Sequence, residues 1–546
     1  MAHVSVQNLS VLFKSNGRDV AAVEDLSFTL QRGDTLGIVG ESGSGKSTVA
    51  RALLGFARPG ARFAQGSVQV GEADVLELEA DALRSYRGGR SAMVPQNPLS
   101  SLTPHMTVGA QLVELIGLHV GETGKVAKDR ALSLMGETNL PEPKALFDRY
   151  PHEISGGQRQ RVVIASALVA SPELIVLYEP TTALDKSVEA RVLDLVRRVQ
   201  QHLGATLIYV SHDLNVIANM CARVLVMRSA RVVEEGETGQ VFHSPKAAYT
   251  RDLVQATPHL MARQPVMPEV GSAPVLKAEN VNFGYRAPGL FRKAAPLALK
   301  SVYLKLFPGQ TLGVVGESGS GKSTLASLIA GALSGHSGRI TLDDGTPLSG
   351  LAKTRGKAAR RRVQMVFQDP LSSLNPAQSV EEIITRPLRL YFGKKPAEAR
   401  KSALELLAEM DLGPEFLHRK PRQLSGGQQQ RIALARALAA EPDVLLCDEI
   451  TSALDVTIQA QVLELLRRLQ ASRGLSCLFI THDLAVVSQV AHSLLVLEKG
   501  EIRDFGDTSA VLAAPKSTYT QGLLTAYRAQ ERKPARAQKQ AFESVA

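Results

Sequence analysis

The peptide Gly-Glu-Ser-Gly-Ser-Gly-Lys-Ser-Thr stands at residues 40–48 and again, letter for letter, at 316–324. Each copy follows a short apolar run, Thr35-Leu36-Gly37-Ile38-Val39 or Thr311-Leu312-Gly313-Val314-Val315, and leads into a helix-forming run, Val49 to Leu54 or Leu325 to Ala330. A strand that turns through glycines into a helix is the setting in which Gly-x-x-x-x-Gly-Lys-Ser binds phosphate. Glycines at Gly40, Gly43 and Gly45, and at Gly316, Gly319 and Gly321, let backbone N–H groups close round phosphate oxygens, while the helix start adds positive potential. Lys46 and Lys322 are placed to reach the outer phosphates, and the hydroxyls of Ser47 and Ser323 to bind Mg2+. Ser42, Thr48, Ser318 and Thr324 complete the candidate nucleotide-binding set.

Outward from these copies, other pairs keep nearly the same spacing: Ser155-Gly156-Gly157-Gln158 with Ser425-Gly426-Gly427-Gln428, His212-Asp213 with His482-Asp483, and Tyr249-Thr250 with Tyr519-Thr520. Self-similarity at a fixed period means one structural unit present twice. We expect a first domain over 1–256, a connector over 257–274 carrying Pro258, Pro265, Pro268 and Pro274, a second domain over 275–527, and a basic tail over 528–546. Leu174 to Leu177, Leu207 to Val210, Val444 to Cys447 and Cys477 to Ile480 read as buried parallel strands. Arg159 to Val169 and Val188 to Leu203 read as helices between strands, which makes the class α/β. The stretches near 105–150 and 378–420 lack strand-like runs and predict a helical insertion in each half.

With 44% hydrophobic and 21% charged residues, the 546-residue chain has the means to bury sizeable cores, so wholesale disorder is excluded. No apolar run approaches the ~18 residues of a bilayer span, and the start Met1-Ala2-His3-Val4 lacks a secretory pattern, so a cytoplasmic location is expected. Cys221, Cys447 and Cys477 are too scattered for a disulfide framework or a thiolate metal cluster. The formal charge of +10 invites a nucleic-acid partner, but part of it sits in Arg360-Arg361-Arg362 and in the tail residues Arg528, Arg532, Lys533, Arg536 and Lys539. Tryptophan is absent and aromatics make up 5%, which leaves few stacking platforms; no nucleic acid is expected.

The Ser-Gly-Gly-Gln peptides narrow the class. Leu424-Ser425-Gly426-Gly427-Gln428 is the signature of the ATP-binding cassette (ABC) ATPases, and the first half differs by Ile154 in place of leucine. The chain resembles that family nearly throughout, twice over. The resemblance implies two tandem ABC-type phosphate-loop NTPase domains, each with a mainly parallel sheet core, an N-terminal antiparallel β part and a helical insertion. It implies ATP and Mg2+ as cofactors, each nucleotide being held between one half's phosphate loop and the other half's signature. Gln96 and Gln368 match the glutamine that touches Mg2+ and the attacking water, and His212 and His482 the histidine that contacts the γ-phosphate. Asp185 and Asp455 match the loop that crosses to the opposite site, and Phe13 and Tyr285 the aromatic stacked on adenine. In the second half Asp448 is the Mg2+-shell aspartate and Glu449 the glutamate that polarises water. The first half keeps Glu179 but has Tyr178 where the aspartate belongs, and a neutral phenol does not balance Mg2+ charge. Lys186 likewise departs from its counterpart Val456, with no physical meaning that the sequence assigns.

Gln-Asp-Pro-Leu-Ser-Ser-Leu-Asn-Pro at 368–376, Tyr150-Pro151-His152-Glu153, Ser244-Pro245 ahead of Tyr249-Thr250, and Ala514-Pro515 ahead of Tyr519-Thr520 look like the peptide/nickel branch of bacterial ABC importers. That resemblance implies an ATPase subunit, both domains fused, that energises import of peptides or related small solutes from the cytoplasmic face of the inner membrane. It would sit beneath two integral-membrane permease subunits, fed indirectly by an extracytoplasmic solute-binding protein. The alternative is a soluble tandem ABC ATPase acting on the ribosome or another assembly.

Overall fold

The computed structural model describes residues 2–15, 17–181, 184–260, 273–285, 297–452 and 454–530. Most of the proline-rich connector, with Pro265 and Pro268, and the tail from 531 onward lie outside the described residues. The chain forms two compact units, one mainly Met1–Thr257, the other mainly Pro258–Leu454 and Ile458–Arg528.

In the first unit a six-stranded sheet runs in the order Arg231–Glu237, Arg223–Arg228, Thr35–Gly40, Thr206–Val210, Leu174–Tyr178, Ser91–Val94. All neighbours are parallel except the edge pair Arg231–Glu237 and Arg223–Arg228. The central strands are buried along nearly their whole length, which is why they read as continuous apolar runs rather than alternating ones. Gly156–Leu168 and Lys186–Leu203 are the helical connections that parallel pairing demands. A second, antiparallel sheet orders Arg18–Leu30, Val4–Ser15, Ala61–Val70 and Ala73–Asp74. Along the latter part of Arg18–Leu30 buried and exposed positions alternate, the mark of a sheet with one wet face. The insertion is helical, as expected: Val108–Val120, Gly124–Glu137 and Pro143–Phe147 bury Leu112, Ile116, Ala131 and Met135 in one core with Val162 and Leu177.

The second unit repeats the plan. Its six-stranded sheet orders Val363–Val366, Val444–Asp448, Ser476–Ile480, Thr311–Val315, Ser493–Glu498 and Glu501–Asp507, again with one antiparallel edge strand. An antiparallel sheet of Leu297–Leu306, Leu276–Gly284 and Ser337–Leu342 lies in the same unit, with insertion helices Val380–Phe392 and Pro396–Glu409. Val380–Phe392 starts where Ser379 and Glu382 close a capping box and stops at Gly393, whose φ of 67° suits glycine. No described helix is long and apolar enough to cross a membrane.

In both units the strand that feeds the phosphate loop has parallel partners on either side, and one of these precedes the histidine. The strand beyond that one ends at the acidic pair. Three carboxyl-terminal strand ends therefore deliver loop, histidine and glutamate to one rim of the sheet, where open α/β sheets bind ligands.

Candidate nucleotide-binding sites

The glycine loops are shaped by both torsion and contact. Gly40 and Gly45 have φ of 147° and 105°, and a Cβ on them would lie 2.1 Å from the Met227 carbonyl oxygen and 2.3 Å from that of Ala22. Gly316 and Gly321 repeat this against Leu497 and Ala298, at 2.1 and 2.6 Å. Any side chain there would displace backbone. Each loop ends at a helix whose first residue is the lysine, Lys46–Ala52 or Lys322–Ala330. Lys46 Nζ donates to the Gly40 and Glu41 carbonyls at 2.7 Å each, and Lys322 Nζ to those of Gly316 and Glu317 at 2.6 and 2.8 Å. The ammonium is thus held inside the loop, and burial pulls the Lys46 pKa below its usual value. Ser44 and Ser320, which sequence reasoning passed over, are buried 3.5 Å from these ammonium groups.

The acidic pair separates the halves. In the second, Ser323 Oγ donates to Asp448 Oδ1 at 3.0 Å. Burial raises the Asp448 pKa, and the Ser323 bond offsets only part of that rise. In the first, Tyr178 stands at the strand end where that carboxylate would be. Burial raises the phenol above its ordinary pKa of 10, and the Glu179 charge pushes the same way, so Tyr178 is neutral at physiological pH.

The glutamates behave alike. Gln96 Nε2 donates to Glu179 Oε2 at 2.6 Å, and Gln368 Nε2 to Glu449 Oε2 at 3.0 Å. His212 Nδ1 lies 3.1 Å from Glu179 Oε1, and His482 Nδ1 lies 3.5 Å from Glu449 Oε1. Burial works to raise the Glu449 pKa, but the His482 hydrogen bond and the charges of His482 and Lys322 outweigh it and leave the carboxylate below its usual range. Burial works to lower the His212 pKa, and Glu179 outweighs it in turn. Both glutamates take left-handed backbone, φ 47°, with their N–H groups donating to Val210 O at 2.9 Å and Ile480 O at 3.0 Å. Such a conformation costs a non-glycine residue roughly 1–2 kcal/mol.

Each signature serine caps its own helix, Gly156–Leu168 or Gly426–Leu438. Ser155 Oγ accepts from Gln158 N at 3.3 Å while Gln158 Oε1 accepts from Ser155 N at 2.8 Å; Ser425 and Gln428 do the same at 3.4 and 3.0 Å. A Cβ on Gly157 or Gly427 would strike Val188 or Ile458 at 2.7 or 2.5 Å, so these glycines let the helix start pack closely. Tyr285 OH lies 2.9 Å from Thr324 Oγ1, its ring half exposed and edge-on to Phe283. Phe13 is 40% exposed, opposite Val20 and Ala61 in its sheet. Among the described residues no cluster of three or more His, Cys, Asp or Glu offers an all-protein metal cage. A hydroxyl with a single carboxylate, as at Ser323 and Asp448, instead fits Mg2+, which takes one or two carboxylates together with phosphate oxygens.

The family model described as ABC transporter matches residues 23–182 and 299–452, more than half of the sequence. The chain belongs to the ABC transporter family. The model for the oligopeptide/dipeptide transporter C-terminal region matches 233–282 of this ABC ATPase, and an AAA-domain model, described as a putative AbiEii toxin, overlaps 417–488. The chain is similar to the glutathione import ATP-binding protein GsiA of Escherichia coli strain K12, 38% identical over 96% of this chain and 89% of that protein. The proteins of the same name from Escherichia coli O157:H7 and Shigella dysenteriae serotype 1 are 39% and 38% identical with the same coverage. Among solved structures, the dimeric post-hydrolysis state of the cassette MJ0796 bound to ADP and Pi is 26% identical, with a TM-score of 0.40, over 43% of this chain and 98% of that one. This ABC ATPase is the ATP-binding subunit of an importer, hydrolyses ATP to drive transport, and works with membrane permease.

Proposed function

We propose that this ABC ATPase, with cassettes over 1–256 and 275–527, binds two ATP molecules with Mg2+ at composite sites. Each site joins one half's phosphate loop to the other half's signature, and hydrolysis powers import of small peptides or related solutes. The observation that carries this proposal is the constellation at each sheet rim: loop lysine, hydroxyl, and a glutamate touched by both a glutamine and a histidine.

At the second site Lys322 is placed to grip the outer phosphates, and Ser323 and Asp448 would hold Mg2+, which would supply charge neutralisation to the phosphate oxygens. Glu449, kept ionised, accepts hydrogen bonding from the attacking water, Gln368 orients that water, and His482 fixes the carboxylate and faces the γ-phosphate. Phosphoryl transfer is mainly a matter of positioning and charge, so a small set of fixed groups suffices. Lys46, Ser47, Gln96, Glu179 and His212 fill the same places at the first site, where Tyr178 replaces the Mg2+ carboxylate; we infer that this site binds ATP and hydrolyses it slowly. Tyr285 and Phe13 flank the adenines, and Ser155 to Gln158 and Ser425 to Gln428 close on the opposite nucleotide.

The match at 233–282 and the glutathione import named for the relatives favour a small-peptide cargo over action on the ribosome. Two permeases at the cytoplasmic face of the inner membrane, supplied by a solute-binding protein, complete the proposed assembly. Purification of the tagged chain from its own cells in mild detergent tests this: co-purifying integral-membrane permeases support import, and ribosomal subunits in their place overturn it.

A further inference from the structure

We propose that Tyr249 and Tyr519 are positioning residues of the two phosphate loops, each tethering the loop from the far end of its own half. The inference rests on assigning those loops to ATP. Tyr249, on the helix Ala248–Ala256, receives the Glu41 N–H on its hydroxyl at 3.0 Å, across 208 residues of sequence. Tyr519, on Thr518–Gln530, receives the Glu317 N–H at 3.0 Å across 202 residues. Glu41 and Glu317 are the second residues of the two loops, and their carbonyls are the ones that accept Lys46 and Lys322. One residue in each loop is therefore held on both sides, its N–H by tyrosine and its C=O by lysine. When phosphate oxygens draw the lysine ammonium away, the tyrosine still holds that end of the loop. The N–H groups further along then keep the curvature that cradles phosphate. A loop held in its binding shape beforehand spends less of the nucleotide's binding energy on ordering.

The tyrosines are themselves anchored. Glu234, on the edge strand, accepts from Lys246 N at 2.9 Å and Ala247 N at 3.0 Å. Asp504 accepts from Lys516 N at 3.0 Å, Ser517 N at 3.1 Å and Thr520 Oγ1 at 2.5 Å. In both halves a carboxylate thus satisfies N–H groups at the start of the tyrosine-bearing helix and complements its dipole. The Arg228 guanidinium lies 4.8 Å from the centre of the Tyr249 ring. The repeated Pro-Lys-x-x-Tyr-Thr, at 245–250 and 515–520, thereby gains a mechanism: an acidic cap fixes the helix, and the helix presents a hydroxyl to the loop. The first half retains the whole device although it carries Tyr178 in its acidic pair, which marks the device as serving nucleotide binding rather than the chemical step.

The test uses the full chain carrying Lys46→Ala, so that nucleotide reports on the Lys322 loop. Tyr519→Phe keeps the ring and removes the hydroxyl. It should raise both the KM for ATP and the Kd for ADP roughly five- to tenfold, the worth of one hydrogen bond, while kcat falls less than about twofold. A hydroxyl with only a structural part in the fold would shift the thermal midpoint and leave the KM-to-kcat split unchanged. Tyr249→Phe in a Lys322→Ala chain is the independent second measurement and should weaken ADP binding at the Lys46 loop to a similar extent. KM and Kd within twofold of the parent for Tyr519→Phe, with nucleotide binding abolished by Lys322→Ala, would overturn the tether and leave the loop assignment standing. Nucleotide binding untouched by Lys322→Ala would overturn the assignment itself.

Discussion

At the acidic pair one substitution separates the halves: Ser323 bonds a carboxylate, and Tyr178 stands where the first half would carry one. Glu449→Gln removes the proton-accepting group but keeps its shape, so steady-state phosphate release should fall about 10²–10⁴-fold while ATP still binds, measured by equilibrium dialysis beside the turnover assay. In that background the residual activity belongs to the Lys46 site. Tyr178→Asp should then raise it at least severalfold, because the ion at Ser47 regains a carboxylate. Vigorous turnover at that site before Tyr178 is altered would contradict the inferred inequality of the two sites. The loop lysines and hydroxyls were legible from a glycine motif set between strand and helix, whereas Gln96, Gln368, His212 and His482 were reached through the family resemblance; each follows a strand end, and adjacent parallel strands bring those ends to one rim.

Contacts between elements were less legible. Lys186 stands out in the alignment of the halves as a replacement for Val456, and the structure supplies the reason: its ammonium lies 2.8 Å from Glu189 and 3.0 Å from Asp213, with Glu189 fully buried. The helix Lys186–Leu203 is thereby tied to the segment just after His212 by a charge cluster. In the second half Gln459 takes the place of Glu189 and donates to Thr451 at 3.2 Å instead. Glu189 lies one turn along the same helix, at a spacing the sequence displays, but Asp213 comes from another strand–helix junction, of which periodicity carries no trace; the tyrosine tethers, which span some 200 residues, were hidden for the same reason. Burial raises the Glu189 pKa even with Lys186 beside it, and Asp213 adds to the rise. A carboxyl whose folded pKa exceeds its unfolded one favours the folded state below the unfolded value, and that advantage is lost as pH rises through the folded pKa. Lys186→Ala removes the compensating charge, so it should cost up to about 3 kcal/mol at pH 7.5, and the loss should shrink toward pH 5.5 as Glu189 takes up a proton. Calorimetric unfolding at the two pH values measures this, and Lys186→Val with Glu189→Gln, the second half's own pair, should restore most of the stability at pH 7.5.

For the whole molecule, the doubled architecture was plain from two identical nine-residue peptides, whereas its proposed pairing depends on partners the repeat cannot specify. Cysteines placed beside Ser155 and Ser323 in a chain lacking Cys221, Cys447 and Cys477 should crosslink in the presence of ATP within one polypeptide. Gel mobility distinguishes this from a bond between chains, and crosslinks formed solely between chains would refute pairing of the tandem halves. The two kinds of acidic pair, Tyr178 with Glu179 and Asp448 with Glu449, are encoded on one polypeptide. Were the halves separate products of separate genes, their ratio would drift with expression, and mismatched pairs holding two phenols or two carboxylates would form by mass action. Covalent fusion sets the ratio at synthesis, and under the proposed pairing within one chain a first half that loses a carboxylate by mutation still meets a partner that keeps one.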